Sequence, residues 1–86
     1  MTGVTRSGFE YEINDKVLND MRIYEALREV DAGNPLAITD VFTYMFGKEQ
    51  KDAYYDHLVK VCGVADIEVA VKDFEAITDA QGDVKN

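Results

Sequence analysis

A chain of 86 residues has material for one small domain, which buries only about 60% of the surface its unfolded form exposes and leaves little for a deep cleft. Seventeen acidic against nine basic residues give a formal charge of −8, yet 47% of residues are hydrophobic. The sequence therefore reads as a folded acidic protein and not as a direct nucleic-acid binder, whose phosphate contacts need clustered Lys and Arg.

The single cysteine excludes an intramolecular disulfide and a cysteine-based zinc site, and no apolar run reaches the ~20 residues of a membrane span. The predicted setting is cytoplasmic, without membrane contact. Residues 1–86 are expected to form a single domain whose ends, 1–7 and 79–86, are loose. In chain order, Phe9, Tyr11 and Ile13 alternate with Glu10 and Glu12 and predict a short strand with an apolar and an acidic face. Val4 and Thr5, across "RSG", could supply the other arm of a hairpin. From Asn19 the period lengthens: Ile23, Tyr24, Ala26, Leu27 and Val30 fall on one side of a helix, with Arg22, Glu25, Arg28 and Glu29 on the other. Gly33 suits the left-handed position after that helix, and Asn34 before Pro35 reads as the cap of the next.

The second predicted helix, about 35–46, carries Ile38, Val41, Phe42, Met45 and Phe46 at spacings of three and four and is expected to be central. Gly47 ends it. A third runs from about Lys48 to Cys62 and stops at Gly63. Asp66 caps a fourth, striped by Ile67, Ala70, Val71, Phe74 and Ile77, and the residues after Thr78 read as a frayed tail. The fold class is mainly α, a compact bundle of about four short helices with an N-terminal strand or hairpin. Its core is expected to contain Ile38, Phe42, Met45, Leu58, Val71 and Phe74.

The segment "YYDHLVKVC" holds the lone histidine and the lone cysteine, which suggests a nucleophile and its base. Helical geometry argues against the pair: a five-residue offset places His57 and Cys62 roughly 140° apart around one helix. Cys62 then reads as a small buried apolar side chain near Leu58 and Val61, and His57 as a residue at the edge of the apolar stripe. Glu25 and Glu29 face solvent by their own periodicity. No glycine-rich phosphate loop or nucleophile elbow occurs. The sequence predicts no catalytic, cofactor-binding or metal-binding residue, and no enzyme.

Apolar residues that the stripes do not absorb are more informative. Met21 falls on the charged side of the first helix, while Leu36 and Tyr44 fall off the stripe of the second. Two readings stand: Met21 closes the core against the strand, or Met21, Tyr11 and Tyr44, flanked by Asp20 and Glu25, form a partner-binding patch.

The order of segments, "GFEYEIND" followed by "NDMRIYEALREVDAGNPLA" and "GKEQKDAYYDHL", resembles the small tail assembly chaperones of long-tailed phages, particularly those infecting Gram-positive bacteria, and the related prophage proteins. The resemblance spans roughly residues 8 to 75. Arg22 and Arg28 stand where family members often carry further acids. It implies a non-enzymatic helper in the bacterial cytoplasm that holds the long, poorly soluble tape measure protein and recruits tail tube subunits. A longer form made by ribosomal frameshifting would contact the tail tube protein, self-association is a further expectation, and the helper would be absent from the finished virion. Charge and size also fit an acidic inhibitor that mimics nucleic acid, or a minor virion protein such as a head-tail joining component.

Overall fold

The computed structural model describes residues 1–81. The chain begins with an antiparallel hairpin of β1 (Thr2–Val4) and β2 (Glu10–Glu12), in the register Thr2↔Glu12, Gly3↔Tyr11 and Val4↔Glu10. Its turn closes through the Thr5 amide, which donates to the Phe9 carbonyl at 2.9 Å, and the Phe9 amide, which donates to Thr5 Oγ1 at 3.0 Å. Gly8 takes a φ of 98° in this turn, a conformation that costs a side-chain-bearing residue. The two-period alternation holds: Tyr11 and Ile13 are buried, Phe9 is half-buried, and Glu10 and Glu12 point to solvent. The first seven residues form a strand and the start of its turn, with Thr5 buried.

Two strands alone are marginal in water, and helices supply the missing support. The Gln50 side chain lies along the outer edge of β2: Glu12 N–H donates to Gln50 Oε1 and Gln50 Nε2 donates to the Glu12 carbonyl, both at 2.8 Å. One amide side chain thus pairs with the strand as a neighbouring peptide would and occupies an edge that could otherwise recruit another chain.

A short 3-10 turn, Val17–Asn19, leads into α1 (Met21–Asp31), whose cap is Asp20. Ile23 and Ala26 are buried and Leu27 and Val30 half-buried, as the spacing predicts. Tyr24 departs from the expected stripe; it is exposed, with its hydroxyl donating to the Leu18 carbonyl at 2.9 Å. The end of α1 is a Schellman motif: Asn34 N–H donates to the Glu29 carbonyl and Gly33 N–H to the Val30 carbonyl, with Gly33 at φ 101°. Asn34 makes no side-chain capping bond, because Pro35–Ala37 forms a 3-10 turn before the next helix begins.

α2 spans Ile38–Cys62 but is broken at Gly47, whose φ of 79° and ψ of 167° lie outside any helix and in a region nearly restricted to glycine. Residues 42 and 54 of a straight helix would stand about 18 Å apart along its axis. Here the Phe42 and Tyr54 rings stack at 5.0 Å, and Lys51 Nζ donates to Thr43 Oγ1 at 2.9 Å. The chain reverses at Gly47, so the two arms face each other. Among the described residues three α-helices stand where about four were expected, because the second and third predicted ones form the two arms of α2 on either side of Gly47, where the break was expected. Gly63, at φ 89°, ends the second arm.

α3 spans Ile67–Gln81, and Asp66 caps it by accepting from the Glu68 and Val69 amides. The helix continues past Thr78, where fraying was expected; the expectation for 82–86 lies outside the described residues. Ala70, Phe74 and Ile77 join Ile23, Ile38, Val41, Phe42, Met45, Tyr54 and Leu58 in one core, with Val71 at its margin. Among the described residues, no helix is long and apolar enough to cross a membrane.

Candidate interaction surface

The start of α1 brings together three of the five residues expected to bind a partner. Asp20 accepts from the Arg22 amide at 2.8 Å, which caps the helix, and from Arg22 Nη2 at 2.7 Å, which binds the guanidinium. The hydrogen bonds from Arg22 hold the Asp20 carboxyl below the usual carboxylate range. The same guanidinium lies over the Tyr44 ring, 4.6 Å from its centroid, so Tyr44 is tied to this surface through Arg22 and is itself half-buried. Met21 is 77% exposed and lines a shallow groove with Tyr24, Glu25 and Arg28. It does not close the core.

Tyr11 does not share this surface. It is 4% exposed and stacks on Phe46 at 6.0 Å, and its phenol crosses Gly3, where an added side chain would collide with it. The reason lies in the strand period: Tyr11 belongs to the face with Phe9 and Ile13, which is the face the helices cover. The patch inferred from sequence therefore reduces to the start of α1 and Tyr44.

The residues with catalytic potential give a different picture. His57 packs on Phe9, with ring centroids 5.6 Å apart, and its Nε2 lies 3.0 Å from the Ser7 carbonyl. A carbonyl only accepts, so Nε2 carries the proton. His57 thus sits at the edge of the stripe, as expected, with backbone as its partner. Cys62 is exposed, contrary to the buried role expected of it, and so are Val59 and Val61. The last turn of α2 continues its apolar stripe beyond the core that Tyr54 and Leu58 reach.

A buried polar cluster that sequence reasoning missed lies beside His57. Asp73 is fully buried on α3 and accepts three hydrogen bonds: from the Ser7 amide at 2.9 Å, from Ser7 Oγ at 2.6 Å and from Tyr54 Oη at 2.6 Å. Thr5 Oγ1 and Ser7 Oγ lie 3.0 Å apart and extend the network into the hairpin turn. Burial, and secondarily the hydrogen bond to Asp73, raise the Tyr54 phenol well above the ordinary tyrosine range, so it stays a donor. The signal was available: position 73 falls on the stripe of 70, 74 and 77, so an acid there had to be buried and satisfied. This cluster joins hairpin, α2 and α3 through groups fully engaged with one another. Its geometry is that of a clasp, with the serine hydroxyl committed to Asp73.

Among the described residues, no group of three or more His, Cys, Asp or Glu side chains is placed to hold a metal ion. Comparison of the chain with protein-family models, with curated proteins and with solved structures gives no match in any of the three.

Proposed function

We propose that this chain is a tail assembly chaperone of a long-tailed phage or prophage, acting without catalysis in the bacterial cytoplasm on the tape measure protein. The order of its sequence segments first suggests this reading. The observation that carries it is physical: a chain of net charge −8 leaves large apolar side chains open to solvent, Met21 at 77% and Leu36 at 73% exposed, around a core that is already complete. Apolar surface that the core does not need is a contact surface in waiting. The surrounding acidic charge keeps a complex with a sticky client dispersed. A long helical client offers many similar apolar sites, and a flexible methionine repacks against each without requiring one geometry.

On this reading the tail tube protein joins through a frameshifted longer form, and the chaperone leaves before the virion is complete. The test is co-expression with a tape measure protein of a long-tailed phage. The client should move from the insoluble to the soluble fraction and co-purify with the chaperone; a client that stays insoluble at stoichiometric chaperone contradicts the proposal.

A further inference from the structure

A second apolar groove lies on the molecule, lined by Val30 at the end of α1, Pro35 in the 3-10 turn, and Ile67, Glu68, Val71 and Glu75 of α3, with Lys72 beside them. It exists because α3 enters the core through Ala70, Phe74 and Ile77, one side of the helix, while Ile67 and Val71, one turn apart on the adjoining side, remain partly open. Ile67 is 43% exposed, and Leu36, next in the chain to Pro35, is 73% exposed. The acidic members of the rim, Glu68 and Glu75, stand two turns apart, about 10 Å along α3. Among the described residues neither makes an ion pair, and with Lys72 as the one basic residue beside them the rim is net acidic.

We propose that this groove seats an amphipathic helix of a partner, one that lays its apolar stripe against Val30, Pro35, Ile67 and Val71 and places basic residues two turns apart beside Glu68 and Glu75. Groove-bound helices are read through anchors at such spacings, and carboxylates flanking an apolar floor select cations beside the stripe. Charge disfavours a second copy of the chain as the occupant. Two copies at −8 each would bring their Glu68 and Glu75 side chains together, and like charges juxtaposed across an interface oppose association. The inference rests on the chaperone reading for the role of the helix, and it moves the principal seat of the client from the Met21 surface to α3. The groove at Met21 sets one acid, Glu25, against Arg28, whereas the α3 groove sets two, Glu68 and Glu75, against Lys72 and so suits a cationic helix better.

A fluorescently labelled, helix-forming peptide of leucine, alanine and lysine, with leucines one turn apart and lysines flanking them, serves as the probe. Its binding to the full chain is followed by anisotropy at low and high salt. Ile67→Asp is the decisive variant. It follows the Asp66 cap in the first turn of α3, where an added carboxylate is compatible with the helix dipole, so the fold should survive, as circular dichroism would show. It should weaken peptide binding by about tenfold or more, Glu68→Gln/Glu75→Gln should flatten the salt dependence, and Val4→Asp, which adds the same charge at an exposed hairpin position lining neither groove, should leave binding within about twofold.

Wild-type affinity in Ile67→Asp, or its loss in Val4→Asp, would overturn the assignment. So would sedimentation showing a dimer that Ile67→Asp dissolves, since the occupant would then be a second copy. A wild-type chain that ignores the peptide but keeps the tape measure protein soluble would sink the groove and leave the chaperone reading standing. Peptide binding through Ile67 without solubilisation of that client would sink the reading and leave the groove.

Discussion

The hairpin side and the α3 groove side of this small domain use their side chains in opposite ways. Around Ser7, polar groups are buried: Asp73, Tyr54 and Ser7 satisfy one another with three hydrogen bonds, beneath a hairpin whose outer edge is occupied by Gln50. Around Ile67 and Leu36 apolar groups are exposed beside a net acidic rim, and Met21 is exposed between Glu25 and Arg28. An interior carboxylate is tolerated only with its partners in place, so the first region enforces one position of the hairpin. Exposed apolar surface gains nothing in the free chain, so the second region is available to a partner at little cost to the fold. Stability and binding should consequently fail separately when each region is altered.

The largest effect should come from the core shared by both regions. Phe42 stacks on Tyr54 and meets Phe74 edge-on at 6.4 Å, and Phe42→Ala should cost about 3 to 5 kcal/mol in denaturant unfolding, enough to unfold much of the population. A melting point within a few degrees of the parent would contradict the central place given to α2.

Asp73→Ala comes next and separates the two regions. It strands the Ser7 amide and two hydroxyls in the interior and should cost on the order of 3 kcal/mol, with amide exchange in residues 2–12 accelerating more than exchange in α1. Asp73→Asn, which keeps the shape and some acceptor capacity, should recover part of the loss. Equal loosening of hairpin and α1 would show that Asp73 does not act as a clasp.

The phenol of Tyr54 makes the same region sensitive to base. Its folded-state pKa is raised, by burial first and by the Asp73 hydrogen bond second. The unfolded chain loses this proton near the ordinary tyrosine value of about 10, while the folded chain retains it. The stabilisation is complete below that pH and declines as pH rises beyond it. Tyr54→Phe should lower stability at neutral pH by about 1 kcal/mol through the lost hydrogen bond and should flatten the alkaline decline. A smaller slope should persist, because burial and the nearby Asp52 also raise Tyr55. An unchanged slope would contradict the assignment.

The smallest effects should lie on the open surface. Met21→Asp and Cys62→Ser should each change stability by less than about 0.5 kcal/mol, and the exposed Cys62 should be labelled by a thiol reagent without prior unfolding. Slow labelling would show that the last turn of α2 is covered in solution.

Much of this architecture was legible in the sequence, because local chemistry writes helix ends clearly. Gly33, Gly47 and Gly63 each stand where a helix stops or breaks, and each has a positive φ; Asp66 caps α3 as read. The alternation from Phe9 to Ile13 gave the inward face of β2, but treating Tyr11 as surplus overlooked that this face would be covered. Asp73 was hidden by counting charges as solvent-facing, although its place on the α3 stripe said otherwise. Cys62 was misplaced because a helical stripe continues regardless of whether the core extends beneath it. The α3 groove could not be read from any single segment, since its floor is assembled from Val30, Pro35, Ile67 and Val71, which only the tertiary fold brings together.

The most direct test of the central claim, that the clasped hairpin side holds the fold while the open apolar side holds the client, is amide hydrogen exchange of the full chain with and without the cationic helical peptide. The account predicts that binding slows exchange in residues 67–75 and around Leu36 and Ala37, while residues 2–12 exchange as in the free chain. Protection confined to the hairpin, with α3 unchanged, would contradict it.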